Sequence, residues 1–360
     1  MTTFGFVGPM PPIRSGIAHH SSQLVAGLRE VGVDVEVHSW CSQYPSALYK
    51  RSQVDPGAVA DPSVRWTLKW WDPTSWIATG RSLRYVDRLI IPWTVPFHAP
   101  HYLTVAKSAG VPVTLMVHNA LPHESMVGAR QLTAPMMRRA ERIVTQSRSV
   151  QEDCLLLAPH TPVSVVPAPP TFPLETKPLP PAPVRLLVLG YIRDYKGVDV
   201  ALEAMRLLVE SGQELELTVA GEVWDGDTQR WYALVERLGL SDRVNLCLQY
   251  QSNAAVSELV AGHHLLVAPY RSATQSGVVA QALAAGRPVV ASRVGGLPDQ
   301  VHEGVNGALA TAGDAGSLAE AICRAASDID ALSAGALAGS PSWSDVARVF
   351  VAPNRVEASA

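Results

Sequence analysis

The stretch VRLLVLGYIRDYKGVDVALEAM, residues 184–205, decides the fold class. Val184–Leu189 is a short, nearly unbroken apolar run. Gly190 opens a polar turn, and from Val198 the apolar residues return at three- and four-residue spacing. That sequence of periods reads as strand, glycine turn, amphipathic helix. A strand without apolar/polar alternation is buried on both faces, which is the mark of a parallel sheet covered by helices.

The same unit recurs in both directions. Downstream strand candidates are Leu215–Ala220, Val244–Leu248, Leu265–Ala268 and Val289–Ser292, separated by helical patterns at Val198–Glu210, Thr228–Leu238, Val256–Gly262 and Val278–Ala285. Upstream strands are expected at Phe4–Val7, Val33–His38, Leu89–Ile91, Val113–Val117, Ile143–Thr145 and Val163–Val166. Helices are expected at Ile17–Val31, Pro100–Gly110 and Ser149–Leu157. Strands alternating with helices give an α/β fold with parallel sheets. Between the halves, Thr171–Pro183 holds five prolines in thirteen residues, which no helix or central strand accommodates. It reads as a semi-rigid linker. The expected domains are 1–170, a linker at 171–183, a second domain at 184–340 and a C-terminal helix or tail at 341–360, with a helix around Val346–Val351. Lys50–Trp76 reads as an irregular insertion whose tryptophans (Trp66, Trp70, Trp71, Trp76) either pack it or offer an apolar or carbohydrate-stacking face.

Composition excludes several classes. With 47% apolar and 17% charged residues the 360-residue chain is not wholly disordered, and 29 basic against 32 acidic side chains leave no basic field for nucleic acid. Apolar runs such as Leu186–Leu189 fall far short of the ~18 residues of a membrane span. The opening MTTFGFVGPMPP has no basic n-region and breaks at Gly8-Pro9, unlike a signal peptide. Four scattered cysteines (Cys41, Cys154, Cys247, Cys323) beside apolar sequence read as reduced packing thiols of a cytoplasmic protein. Arg138, Arg139 and Arg142 beside Met136 and Met137 read either as a solvated helix face or as a patch for weak peripheral membrane contact.

Working residues of an α/β sheet sit beyond the carboxyl ends of its strands, so two such sheets joined by a linker are expected to face each other with one ligand each. Gly8–Gly16 follows a strand and opens a helix. It is neither a Walker A loop nor G-x-G-x-x-G, and reads as an anion-binding turn or as a proline-stiffened loop with Gly16 for packing. His118-Asn119, followed by His123-Glu124, ends the strand Val113–Val117. The spacing does not favour a metal, and His118 reads as a hydrogen-bonding residue aimed at a cleft or as a loop histidine held by backbone carbonyls. Arg193 and Lys196 stand just before a helix, where cations are disfavoured unless an anion joins them. Gln275-Ser276-Gly277 opens the next-but-two helix with small and polar residues, a cradle for a diphosphate, and Gly295-Gly296 adds a second glycine turn. Asp225-Gly226-Asp227 has the D-x-D form of a metal site, but Asp227 is explained as a helix cap.

Taken together, GYIRDYKGVDVALEAM (from Gly190), LTVAGEVW (from Leu217), Pro269–Gly286 and VASRVGGLPDQVHEGVNG (Val290–Gly307) resemble glycosyltransferase family 4. PPIRSGIAHHSSQL and VHNALPHES extend the resemblance into the first half. The resemblance implies a GT-B fold, two Rossmann-like domains facing each other across a cleft, and retaining transfer from a nucleotide-sugar, a UDP-sugar by expectation. The acceptor would be a saccharide, lipid-linked or small-molecule hydroxyl. No metal or other cofactor is implied. By position, Lys196 matches the lysine on the donor diphosphate, and Arg193 stands in for an arginine whose place is taken by Tyr191. Gln275, Ser276 and Gly277 match the phosphate loop, with Gly190 at its neighbouring turn. Gly16 matches the glycine near the phosphates and His118 the histidine on the donor sugar. Asn119, His123 and Glu124 fall at the acceptor side of the cleft. Two family glutamates eight positions apart are replaced by Ala273 and Gln281, the latter keeping a neutral ribose contact. Two other activities fit the architecture: a nucleotide-sugar epimerase using Glu124, His118 and His123, and a sugar-nucleotide-binding protein with weak catalysis.

Overall fold

Every strand ladder among the described residues is parallel. The computed structural model describes residues 2–45, 53–54, 59–121, 126, 128–172 and 174–352. The chain divides into two units. One runs from the N-terminus through Pro167 and takes in the chain from Ser342 onward, and the other is Ala168–Pro341.

The first unit contains β1 (Thr3–Val7), α1 (Gly16–Glu30), β2 (Asp34–Ser42), β3 (Val64–Lys69), α2 (Pro73–Ser82) and β4 (Arg88–Trp93). It continues with α3 (Ala99–Ala109), β5 (Val113–Val117), α4 (Ala129–Arg139), β6 (Arg142–Thr145), α5 (Arg148–Leu157) and β7 (Val163–Val165). The second holds β8 (Val184–Leu189), α6 (Val198–Glu210), β9 (Leu215–Ala220), α7 (Gln229–Arg237), β10 (Val244–Cys247), α8 (Asn253–Ala261) and β11 (Leu265–Ala268). It ends with α9 (Gly277–Ala284), β12 (Val289–Ser292), α10 (Leu297–Gln300), β13 (Gly307–Ala310), α11 (Ala315–Ser327) and α12 (Ile329–Ala338). The last helix, α13 (Trp343–Val351), returns to the first unit. The sheet orders are β3-β2-β1-β4-β5-β6-β7 and β10-β9-β8-β11-β12-β13. In each, the order reverses once, beside β1 in the first sheet and beside β8 in the second.

The unbroken apolar strands follow from burial on both faces. In the first sheet Phe4, Phe6, Ile90 and Met116 pack under α1 and α13, while Val7, Ile91, Leu115 and Ile143 pack under α2 to α5. In the second, Leu186, Val188 and Val219 face α6, α7 and α11, and Leu187, Leu189 and Leu266 face α9 and α12.

Several sequence expectations are corrected. Within Lys50–Trp76, the described part is not irregular: β3 pairs with β2 at the sheet edge, and Pro73 opens α2 behind the cap Asp72. Trp66, Trp70 and Trp76 pack against the core, and Trp71 is exposed. The β-strand period was masked there because both faces of a short edge strand carry aromatic and charged residues. Met136 and Met137 are fully buried and Arg142 is a buried strand residue, so these residues do not form an exposed basic-apolar patch. Arg142 instead donates to the carbonyls of Val349 (2.6 Å) and Ala352 (3.2 Å), and Arg88 to that of Phe350 (3.2 Å). These side chains satisfy the open carbonyls that every helix C-terminus leaves, here those of α13. The segment Thr171–Pro183 is held against the second unit, where Leu174 packs on the core and the Pro178 carbonyl accepts from Arg287. Cys41 and Cys323 are exposed rather than packed. After Ala326 the chain builds α12 before α13, and β13 completes the second sheet.

Candidate functional site

In the second unit the loop after β8 is fastened to the loop after β9. The Gly190 N–H bonds the Ala220 carbonyl (3.0 Å), Ile192 N–H that of Glu222 (2.9 Å), and Trp224 N–H returns to Ile192 (3.0 Å). Gly190 has φ +113°, and Asp194–Lys196 makes a 3₁₀ turn that Gly197 ends at φ +65°. Gly197 is obligatory on two counts: the left-handed backbone, and a Cβ that would lie 2.0 Å from the Pro269 carbonyl oxygen.

That close approach joins the β8 loop to the loop after β11. The Arg271 N–H bonds the Tyr195 carbonyl (2.7 Å), and the Arg271 guanidinium grips Asp199 with both nitrogens (2.9 and 2.6 Å). This fork holds the Asp199 carboxyl below its ordinary range, against the effect of its burial. Lys196 is thereby placed with its ammonium 3.9 Å from the centre of the Tyr270 ring. The ammonium has no hydrogen bond or ion pair among the described residues. Arg193 lies 3.6 Å over the Trp224 ring, which in turn meets Tyr191 edge-on. Thr228 rather than Asp227 is the N-cap of α7, one residue later than expected; Asp227 accepts from the Arg230 N–H (3.3 Å), and Asp225 pairs with the Arg230 guanidinium at 2.9 Å. Among the described residues no three His, Cys, Asp or Glu side chains converge as metal ligands.

The start of α9 completes the site. Ser276 caps the helix, its Oγ accepting from the Val279 N–H, and its own N–H is taken by Gln300 Oε1 at 2.8 Å. The Ser276 amide is therefore not available to a ligand, a correction to the expected cradle. The open donors are the N–H groups of Gly277 and Val278, which have no acceptor among the described residues. Val278 Cγ2 (3.6 Å) and Lys196 Nζ (3.9 Å) both lie within 4 Å of the point a Cβ on Gly190 would occupy. The lysine, the glycine turn and the helix start thus converge between β8 and β11, where the strand order reverses. That is the ligand position in open α/β sheets. Gln275 lies half-buried just before the cap.

At the family glutamate positions the arrangement is structural. The Ala273 carbonyl accepts from the Gly296 N–H (3.3 Å). The Gln281 amide is buried: with its oxygen accepting from the Phe172 N–H (3.2 Å) and the Thr171 hydroxyl (3.0 Å), its nitrogen donates to the Phe172 carbonyl (3.1 Å). An amide so occupied does not face a ribose, which corrects the expectation for Gln281.

In the first unit Gly16 opens α1 behind the cap Ser15, with open space where a Cβ would be. His118 follows β5 and is 3% exposed, and among the described residues neither ring nitrogen has a partner, a backbone carbonyl included. Its ring stands edge-on to His20 at 4.4 Å. Burial brings His118 down to about 4, and burial with the His118 charge puts His20 well below its ordinary value, so both imidazoles are neutral. Asn119 is half-buried beside it, and His123 and Glu124 lie outside the described residues. Sequence reasoning missed a pocket of about 150 Å³ beyond β1 and β4, lined by Arg14, Ser15, Gln43, Tyr44 and Thr94 among others. Its only sequence signal is that these residues follow strand ends. Tyr270, fully buried behind Lys196, was also missed, because a tyrosine after a strand carries no motif.

Comparison with known proteins places this geometry. Residues 183–328, which contain every element of the second site, match the family model described as glycosyl transferases group 1. Over that stretch the chain is similar to this family. The D-inositol 3-phosphate glycosyltransferase of Segniliparus rotundus is 32% identical over 133 residues, 36% of this chain and 29% of the relative. D-inositol 3-phosphate glycosyltransferase 1 of Catenulispora acidiphila is 28% identical over 292 residues, 69% of each chain. In the first of these matches the chain spans under a third of the relative's length. Among solved structures, Anabaena HepE in complex with UDP superposes with a TM-score of 0.74 over 98% of both chains at 16% identity. That likeness establishes the fold. The β8 and β11 loops of the family-matched stretch carry Lys196, Arg193, Gly190 and Gly277, whereas Gly16, His118 and Asn119 belong to the other unit.

Proposed function

We propose that the chain is a retaining, metal-independent glycosyltransferase that takes a glycosyl group from a nucleoside-diphosphate sugar, a UDP-sugar by first choice, to a hydroxyl of a polyol or saccharide. The observation that carries the proposal is the unpaired Lys196 ammonium beside the open N–H groups of Gly277 and Val278. A cation and two helix-start donors aimed at one place suit a diphosphate, whose charge grows as it leaves. The glycosyl C1–oxygen bond to the diphosphate breaks, and the acceptor oxygen bonds C1 on the same face. The acceptor proton passes to the departing phosphate oxygen, so no protein base is required. Arg193, turned over Trp224, supplies a second cation. The named activity of the inositol-phosphate relatives favours a polyol acceptor, and the UDP held by the HepE structure favours a uridine donor.

Loss of one such donor typically costs on the order of 10²–10³ in rate. Lys196→Ala is therefore expected to lose that much turnover in a screen of UDP-, GDP-, ADP- and dTDP-sugars with inositol phosphates and simple sugars, run in EDTA. Wild-type rates in the variant would refute the proposal, as would activity that EDTA abolishes and magnesium restores. A second reading, sugar-nucleotide binding without turnover, is favoured by Ala273 and by the occupied amide of Gln281. It predicts nucleotide binding that Lys196→Ala weakens, with no product from any pair.

A further inference from the structure

Lysine at the start of a helix is electrostatically out of place, since the N–H groups there already present positive charge. Lys196 nonetheless stands two residues before α6, with its ammonium near the start of α9 as well. No carboxylate among the described residues holds it. What lies behind the ammonium is the face of Tyr270, at 3.9 Å, with Tyr195 farther off at 5.6 Å. Tyr270 is 2% exposed, so its ring is fixed by the core rather than by the lysine. An aromatic face carries negative potential and attracts a cation without neutralising its charge. A carboxylate in the same place would fix the lysine but cancel the charge a diphosphate needs.

The other end of the same side chain reaches the second phosphate-binding element. The Tyr270 hydroxyl lies 3.2 Å from Ser276 Oγ, the oxygen that caps α9. Gln300 clamps Ser276 from the other side through its N–H (2.8 Å) and carbonyl (3.1 Å). One buried residue therefore touches both the cation and the cap of the helix whose first N–H groups are open.

We propose that Tyr270 is a positioning residue: its ring seats the Lys196 ammonium and its hydroxyl ties that seat to the α9 cap, so that lysine and helix N–H groups meet one nucleoside diphosphate in fixed relation. The inference rests on the diphosphate site proposed above. It requires the ring's electrons for the lysine and its hydroxyl only for alignment.

The test uses the full chain and UDP as the probe, with affinity measured by calorimetry. Phenylalanine and its mono-, di- and trifluorinated analogues, placed at position 270, keep the ring's shape while draining its negative face. Tyr270→Phe is expected to bind UDP within about threefold of wild type. Affinity should then fall in steps to a total loss on the order of five- to twenty-fold across the fluorine series. In a Lys196→Ala background the series should be flat, a response that a purely structural role for the ring would not give. A flat series in the parent chain, while Lys196→Ala still weakens UDP binding, overturns the role of Tyr270 and leaves the diphosphate site standing. A graded loss that persists unchanged without Lys196 overturns it equally. UDP, GDP and ADP binding that Lys196→Ala does not alter removes the diphosphate site itself, and with it this inference.

Discussion

Replacing Gly197 with alanine tests how rigidly the β8 and β11 loops are joined. The residue has φ +65°, and an added Cβ would lie 2.0 Å from the carbonyl oxygen of Pro269. Ordinary carbon–oxygen contacts begin near 3.3 Å, so the two backbones must separate by about 1 Å or more. The left-handed conformation costs alanine roughly 1–2 kcal/mol. Forced separation of packed backbone adds about 1–3 kcal/mol. It also strains the Arg271 N–H bond to Tyr195 and the Arg271–Asp199 fork, which span the same gap. The expected loss is about 2–5 kcal/mol, or on the order of 5–15 °C in the unfolding temperature of the second unit. Gly212→Ala is the control: φ is +80° but nothing lies within 4 Å of its Cβ, so only the conformational part applies, about 1–2 kcal/mol. Calorimetric scans of the two variants, with UDP titrations of each, measure both consequences. Because the separation moves Lys196 away from Tyr270, Gly197→Ala should also bind UDP at least tenfold more weakly, and Gly212→Ala should bind normally. Equal destabilisation of the two variants would refute the reasoning.

Three further outcomes are expected. Phe350→Ala empties a fully buried site where α13 meets α1 and should cost the first unit about 3–5 kcal/mol in urea unfolding, against less than about 0.5 for the exposed Val351→Ala; similar values for both would mean that α13 is not part of that core. Arg287, buried, donates to the carbonyls of Val260, Ala261 and Pro178, so Arg287→Ala should cost about 3 kcal/mol or more, and Arg287→Lys should recover less than half of it because an ammonium cannot span the fork. Full recovery by lysine would show that charge alone matters there. The pH dependence follows from burial, which lowers His118 to about 4 and, with the His101 charge, His98 to about 3. Unfolded imidazoles titrate near 6.5, so below that pH the unfolded chain binds more protons and stability falls with pH. Each histidine should cost about 2 kcal/mol between pH 6.5 and 5, and a first unit equally stable at pH 7 and 5 would contradict the buried neutral assignment.

The strands that matter most were legible because they are buried on both faces. Val184–Leu189, Leu215–Ala220, Leu265–Ala268 and Val289–Ser292 fall where the apolar runs do, with the residue boundaries expected. β3 and β13 were not legible. An edge strand with half its side chains in solvent loses the continuous run, and Gly307–Ala310 has a composition that fits a loop equally well. Lys196, Gly190 and Gly277 could be singled out as candidates because each sits at a strand-to-helix turn, a feature local in sequence.

What the sequence determined by itself is the alternation of apolar strand and amphipathic helix, and hence the parallel sheets and the loops that carry their chemistry. Only the tertiary structure decided which donors are open. The Ser276 amide is taken by Gln300, 24 residues away, and the Gln281 amide by residues 171–172. Tyr270 acquires its place under Lys196 because β8 and β11 are neighbours in the sheet although two strands separate them in the chain. Periodicity is a property of neighbours along the backbone, whereas hydrogen-bond satisfaction depends on groups that folding alone brings into contact.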